Sequence, residues 1–320
     1  MSNFEADVEI AEFGAEAGAL TPSLEILTAR SVPLGPRQHV RRVLPNRERR
    51  MIGPWCFADH YGPADITREP KMWVPPHPHT CLQTVSWLFA GEVQHDDSLS
   101  SHAVVLPGQL ALMTAGAGIA HSEISPDAHS TELHGLQLWV ALPDEVRLSV
   151  PPAFDRYADL PRLRRPGLRA TAVLGELEGQ VSSASAYSPI VGAELEVDGE
   201  VSIRVRPDFE HGVLCVGGAL RVEGRPLGQS EVGYLGGGRD VIALGSDGPA
   251  RGFLLGGEPF TEDLVMWWNF IGRDHDEIVR FRELWNAGSA QFGEVAGFPG
   301  ERLLAPPMPT VRLRPRGRHR

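Results

Sequence analysis

Two short motifs in this sequence carry side chains that bind metal ions. They are His77-x-His79 and His121-x-Glu123, and each spaces its two polar residues two positions apart. Because successive side chains of a β-strand point to opposite faces, residues two apart share one face. Two such strands facing each other would offer one ion three imidazole nitrogens and one carboxylate oxygen. That donor set suits iron, manganese, nickel, copper or zinc, and a six-coordinate ion would keep about two positions open for substrate and oxygen.

The sequence between the two motifs predicts the strands that would position them. It breaks into short runs of strand-like residues at 82–89, 93–97, 103–106 and 109–114, with glycine-containing turn signals at 90–91, 107–108 and 116–118. Strands at this spacing indicate a β-sandwich or barrel, whose inner face is where ligands from distant strands converge. A lone histidine in a strand is more often a packed residue than a ligand. The metal hypothesis therefore depends on the two motifs occurring together.

A second unit follows a proline- and arginine-rich stretch at 150–167, which predicts a connection between domains. The strand-and-turn pattern of the first unit returns in 212–224, 233–244 and 252–255. This repeat keeps a single His211 and lacks both paired motifs. We therefore expect no metal in the second unit.

The two ends of the chain differ from the barrel pattern. Asp274 and Glu277 have the spacing of a capping box and predict the start of a helix. Its apolar residues recur at helical spacing and predict one face packed on the barrels: Ile278, Phe281, Leu284 and Trp285. Residues 1–22 are expected to be disordered. Residues 288–320 form a Gly/Pro/Arg-rich tail, either solvated or docked on an acidic surface of the protein or on an anionic partner.

Composition limits the partners and the compartment. The formal net charge of −11 over 320 residues argues against direct nucleic-acid binding, which needs cationic side chains. The three cysteines are scattered and odd in number, a usage typical of a reducing compartment. The N-terminus lacks the pattern of a secretory signal, and no apolar run is long enough to span a membrane. We expect a cytoplasmic protein without membrane contact.

Ten motifs then carry a resemblance to a known family. They are Arg50-Met51-Ile52-Gly53-Pro54, Asp59-His60, His77-Pro78-His79, Thr84-Val85-Ser86, His95-Asp96, Met113-Thr114-Ala115-Gly116, His121-Ser122-Glu123, His134-Gly135-Leu136-Gln137-Leu138-Trp139, Gly257-Glu258-Pro259-Phe260 and Trp268-Asn269-Phe270. With these the chain resembles the pirins, bicupins of the cupin superfamily. The resemblance implies an all-β fold of two tandem cupin-type β-barrels with a short C-terminal helix. We expect a metal-bearing first domain at 23–160 and a second domain without metal at 168–287.

The resemblance also implies an activity. It places a mononuclear centre on His77, His79, His121 and Glu123, with Fe(II) preferred and Mn, Ni, Cu or Zn as alternatives. The implied reaction is that of a quercetin 2,3-dioxygenase, with a small aromatic substrate and dioxygen, and Glu123 could also act catalytically by accepting the substrate's proton. Two alternatives stay open: a non-catalytic regulatory protein that binds a protein partner, and a cupin whose metal is structural.

Three further residues are candidates for the surroundings of the metal. Many pirins follow the H-x-H with Arg-Gly-Phe-Glu, whereas this chain has Thr-Cys-Leu-Gln. If the strand stays regular, Cys81 and Gln83 share the inner face with His77 and His79. A glutamate in place of Gln83 would then raise metal affinity. His95 is expected to orient a ligand imidazole from behind.

Overall fold

The computed structural model describes residues 11–13, 23–34, 38–68 and 71–315. The earlier strands are β1 (Ala11–Phe13), β2 (Glu25–Thr28), β3 (Arg30–Leu34), β4 (Gln38–Leu44), β5 (Trp55–Asp65), β6 (Trp73–His79), β7 (Leu82–Ala90), β8 (Val93–Asp97), β9 (His102–Val105), β10 (Leu110–Thr114), β11 (Ile119–Ile124), β12 (Glu132–Ala141) and β13 (Ala153–Tyr157). The later elements are β14 (Arg162–Arg165), β15 (Leu168–Leu177), β16 (Gln180–Val181), β17 (Ile190–Val197), β18 (Val201–Arg204), β19 (Glu210–Gly217), β20 (Leu220–Val222), β21 (Arg225–Leu227), β22 (Glu231–Leu235), β23 (Val241–Ser246), β24 (Ala250–Gly257), β25 (Leu264–Trp267), β26 (Phe270–Gly272) and helix α1 (His275–Asn286).

The first barrel is made of two sheets. One has seven strands in the order β13-β10-β7-β12-β5-β4-β3, and the other has four in the order β6-β11-β8-β9. Both metal-ligand motifs lie on the smaller sheet, where β11 pairs antiparallel with β6 and sets His121 opposite His77. The structure therefore places the two motifs on neighbouring antiparallel strands.

The second barrel repeats this arrangement. Its sheets run β14-β15-β17-β24-β19-β22-β2 and β18-β23-β20-β21. The large sheets of the two barrels share one buried apolar cluster, which contains Trp55, Trp87 and Val140 from the first barrel and Leu214 and Phe253 from the second. The predicted all-β bicupin with one short C-terminal helix is confirmed.

Segments near each end of the chain pack on the barrel that the other end belongs to by sequence. Strand β2 lies inside the predicted first domain, yet it pairs with β22 of the second barrel. Strands β25 and β26 and helix α1 lie inside the predicted second domain, yet they pack in one cluster with Phe57, Leu82 and Trp139 of the first barrel. Strand β1, within the segment expected to be disordered, pairs with β25; apart from Ala11–Phe13, residues 1–22 lie outside the described residues.

Helix α1 and the tail behind it cover the first barrel. The Asp274 carboxylate accepts a hydrogen bond from the Glu277 backbone N–H at 2.9 Å, which confirms the predicted helix start. The described part of the tail docks on the protein, which was one of its three predicted arrangements. Phe292 is buried against the barrel, and Arg312 forms a two-point ion pair with Asp276 at 2.9 and 2.6 Å. Residues 316–320 lie outside the described residues.

In the described part of the chain, no helix has the length and apolarity needed to cross a membrane.

Candidate metal centre

Three histidines bring their ligand atoms together inside the first barrel. The ligand nitrogens of His77, His79 and His121 all lie within 4.8 Å of one another, and the three side chains are completely buried. The Nε2 atoms of His79 and His121 are 3.1 Å apart. The structure thus brings three of the four predicted ligands into one group.

The Nδ1 atom of each histidine has a polar partner outside the group of three. His77 Nδ1 lies 2.9 Å from the Pro75 carbonyl oxygen, and His79 Nδ1 lies 3.1 Å from the Asn269 carbonyl oxygen. A carbonyl only accepts hydrogen bonds, so both Nδ1 atoms carry the proton and both Nε2 atoms present a lone pair. His77 Nε2 has no hydrogen-bond partner among the described residues. Converging buried lone pairs repel one another unless a cation lies between them.

The His121 ring is oriented by a chain of polar groups that ends on a carboxylate. His95 Nδ1 lies 3.3 Å from His121 Nδ1, and His95 Nε2 lies 3.2 Å from Asp97 Oδ2. Because Asp97 takes the Nε2 proton of His95, His95 Nδ1 can accept from His121 Nδ1. This leaves the Nε2 lone pair of His121 facing His79. Such partners behind a ligand fix its tautomer and raise its basicity.

Asp97 was not among the residues that we predicted from the sequence. It is buried, whereas the neighbouring Asp96 pairs at 2.5 Å with the exposed His102. Burial raises the pKa of Asp97, but hydrogen bonds from His95 and Ser101 outweigh this and hold it below its ordinary value. Strand alternation from His95 would have found Asp97, because residues two apart share a face.

The three imidazoles are uncharged at neutral pH. Burial lowers the pKa of His79 to about 3. Burial, and then the neighbouring imidazoles, hold the pKa values of His77 and His121 well below the ordinary range. Neutral imidazole is the form that binds metals, so the site presents ligands without first releasing protons.

Glu123 lies beside this group rather than within it. A register shift in the β11–β6 pairing falls between His121 and Glu123, so Glu123 stands opposite Val74 instead of the position two residues before His77. Its side chain is buried and acts electrostatically on His77. The strand bulge explains why alternation alone does not fix the distance of this carboxylate from the histidines.

Comparison with known proteins agrees with the fold. The model of the pirin family matches residues 37–140, and that of the pirin C-terminal cupin domain matches residues 190–293. The chain belongs to the pirin family. It is 45% identical over 289 residues to a Pseudomonas aeruginosa protein whose name assigns it provisionally as a quercetin 2,3-dioxygenase, covering 89% of this chain and 91% of the relative.

Two further relatives support the assignment along most of the chain. A pirin-like protein of Caulobacter vibrioides is 36% identical over 271 residues, covering 82% of this chain and 93% of the relative. The crystal structure of a quercetin 2,3-dioxygenase from Acinetobacter baumannii superposes with a TM-score of 0.87 at 38% identity, covering 90% of this chain and 96% of that one.

The structure of this pirin differs from our prediction for Gln83. The chain leaves the smaller sheet after His79, turns at Cys81 with a φ of 58°, and enters the larger sheet at Leu82. The predicted alternation from His77 does not pass through such a break. Gln83 stands opposite Val140, on the face that packs between the barrels, and its amide donates to Thr114 Oγ1 at 3.0 Å and to the Ser185 carbonyl at 3.2 Å.

Cys81 is buried at the same break, in the apolar cluster under helix α1. Arg147 Nη1 lies 3.6 Å from its Sγ, and burial raises the pKa of the thiol to about 11. The thiol is therefore protonated at neutral pH and is not poised as a metal ligand. Among the described residues, neither Cys81 nor Gln83 forms a hydrogen bond with any of the three histidines.

His211 of the second barrel is completely buried, and neither of its ring nitrogens has a hydrogen-bond partner among the described residues. The only group of three or more potential ligands found in the described part of the chain is that of His77, His79 and His121. That the second barrel binds no metal stays a prediction.

Proposed function

We propose that this pirin is a metal-dependent dioxygenase that cleaves flavonols such as quercetin at one divalent metal ion. The observation that carries the proposal is the convergence of three buried imidazole Nε2 atoms whose Nδ1 atoms are each held from behind. The names of the relatives from Pseudomonas aeruginosa and Acinetobacter baumannii agree with this activity. Fe(II) is the first choice, and Mn, Ni, Cu and Zn suit the same donors.

The residues of the site would have separate roles in the reaction. His77, His79 and His121 would hold the ion, and Glu123 would serve as a fourth ligand or accept the proton of the substrate hydroxyl. A divalent metal there would supply a Lewis acid that favours the deprotonated form of a bound hydroxyl. His95 would keep the His121 ring in its binding orientation. The side chains of the three histidines and Glu123 are buried. Their burial excludes water and strengthens each electrostatic contact.

The proposal also covers the location and the binding partners of the protein. We infer a cytoplasmic location, with a small aromatic molecule and dioxygen as the reactants. The net charge of −11 supports the absence of direct nucleic-acid binding.

Metal analysis of the purified protein, combined with oxygen uptake on a panel of flavonols, tests the function. We expect about one metal ion per chain and oxygen uptake that depends on both the metal and the flavonol. Protein without stoichiometric metal would refute the site. Stoichiometric metal without oxygen uptake on any flavonol would refute the dioxygenase and favour a regulatory protein that binds a partner.

A further inference from the structure

Two hydrogen-bond donors of the large sheet, Gln137 and Trp139, lie on the sheet face that contacts His79. On β12, Trp139 stands opposite Phe57 of β5, and its ring centre lies 5.0 Å from that of His79. Gln137 is two residues earlier on the same strand and therefore shares this face. Leu138 between them points to the cluster between the barrels.

The orientation of both donors is fixed. The Ser86 hydroxyl donates to Gln137 Oε1 at 2.7 Å, which leaves the amide Nε2 as the free end of that side chain. The Trp139 ring is stacked on Phe57 with ring centres 4.0 Å apart and planes inclined by 13°. Gln137 is 1% exposed and Trp139 is 0% exposed. Among the described residues, neither Gln137 Nε2 nor Trp139 Nε1 has a hydrogen-bond acceptor.

Such groups are rare in folded proteins, because a buried donor without an acceptor loses its bonds to water and gains none in return. An amide N–H and an indole N–H can donate but cannot accept. The site thus combines lone pairs from the histidines, which attract a cation, with donors from Gln137 and Trp139, which attract an oxygen atom. A ligand with an acceptor oxygen satisfies these donors, whereas an ammonium group does not.

We propose that Gln137 and Trp139 are positioning residues that donate hydrogen bonds to an oxygen atom of the substrate beside the three histidines. The inference rests on the proposed function and assigns both donors to an acceptor oxygen of the flavonol, either its carbonyl oxygen or a hydroxyl oxygen. Trp139 adds specificity, because its fixed ring also forms a flat apolar wall next to His79.

Substitutions that remove only the donors test this role. Trp139→Phe deletes the N–H and keeps an aromatic ring against Phe57, and Gln137→Met deletes the amide at similar volume. The chain offers matched controls on the opposite face of the large sheet. They are Gln83→Met and Trp87→Phe, whose side chains donate to Thr114 and to Glu194 respectively.

The measurement is the dissociation constant of 3-hydroxyflavone for the metal-containing protein, taken by fluorescence without dioxygen so that no turnover occurs. Each donor variant should bind about tenfold more weakly than wild type, because one hydrogen bond is lost. Metal content should stay at the wild-type level in all four variants. Both controls should bind 3-hydroxyflavone as wild type does.

The outcomes separate this inference from the proposed function. Wild-type affinity in both donor variants, equal losses in the controls, or no binding of 3-hydroxyflavone by wild type would each overturn the donor role. One outcome is that wild type takes up no oxygen, while only the donor variants bind 3-hydroxyflavone weakly. This result would refute the dioxygenase activity and support the donor role of Gln137 and Trp139. If wild type turns over and the donor variants bind normally, only the donor pair fails.

Discussion

At the scale of single residues, the metal site depends on where each imidazole keeps its proton. Carbonyl oxygens hold the Nδ1 protons of His77 and His79, and the Asp97–His95 pair does the same for His121. The ligand set is therefore assembled by the fold before any ion binds. This predicts that the metal is not needed to form the barrel.

Replacing His77 or His121 with alanine should abolish stoichiometric metal binding and leave the protein folded. The reason is that the large apolar cluster around the site does not depend on these imidazoles. Elemental analysis and circular dichroism measure the two effects. His211→Ala removes another completely buried histidine and should keep the metal, which makes it the matched control. Wild-type metal content in both His77→Ala and His121→Ala would contradict the assignment.

Gln83→Glu should leave metal affinity unchanged and destabilise the protein. This replaces the expectation from strand alternation, since the amide faces Ser185 and Thr114 between the barrels. A glutamate there loses the donation to the Ser185 carbonyl and leaves that oxygen unpaired, at a cost of about 1–3 kcal/mol. Metal titration and urea unfolding measure the two effects. A higher metal affinity at unchanged stability would return Gln83 to the site.

At the scale of elements, the cover of the first barrel comes from the far end of the chain. Strands β25 and β26, helix α1 and the following tail pack on Met113, Trp139 and Leu82. The Trp285 indole donates to the Leu303 carbonyl at 2.7 Å, and the Leu303 N–H donates to the Pro76 carbonyl at 2.8 Å. The tail is thus tied to the strand that carries His77 and His79.

Phe292→Ala should lower the free energy of unfolding by about 3–5 kcal/mol, the usual cost of a large cavity in a core. Phe292 is 1% exposed, and its ring centre lies 5.5 Å from that of Trp285 and 6.0 Å from that of Phe270. Leu304→Ala, in the same tail but 62% exposed, should change stability by less than about 0.5 kcal/mol. Urea unfolding measures the stability of both variants. Equal stability of Phe292→Ala and Leu304→Ala would show that the tail is not part of the core.

At the scale of the whole molecule, a histidine pair joins the two barrels. His60 Nε2 lies 2.8 Å from His134 Nε2, and His60 Nδ1 lies 2.7 Å from Ser230 Oγ of the second barrel. Burial and the charge of Arg41 lower the pKa of His60 to about 2. Burial, with Arg251 and Arg41, lowers the pKa of His134 to about 4.

These shifts predict acid sensitivity of the joined barrels. The ordinary pKa of histidine is 6.5. Below that pH, His60 and His134 bind protons in the unfolded chain but stay neutral in the folded protein. The stability contributed by the neutral pair is thus complete above pH 6.5 and falls as the pH drops toward about 4. The double variant His60→Gln, His134→Gln should show a shallower loss over this window in urea unfolding at stepped pH. An identical pH slope in wild type and variant would refute the role of the pair.

The sequence by itself determined the features that arise within one strand or one helical turn. The period of two placed His77 with His79, and the capping box placed the start of α1, because both patterns depend only on local backbone geometry. The repeat of strand and turn likewise predicted two similar β units.

Only the tertiary structure decided what depends on contacts between distant segments. Alternation fails wherever the chain changes sheets, so the turn at Cys81 moved Gln83 to the other side of the barrel wall. A bulge after His121 shifted the register of Glu123, so that it stands opposite Val74. The exchange of β2 and α1 between the barrels has no local signal, because partners far apart in the chain are selected by the surface they bury together.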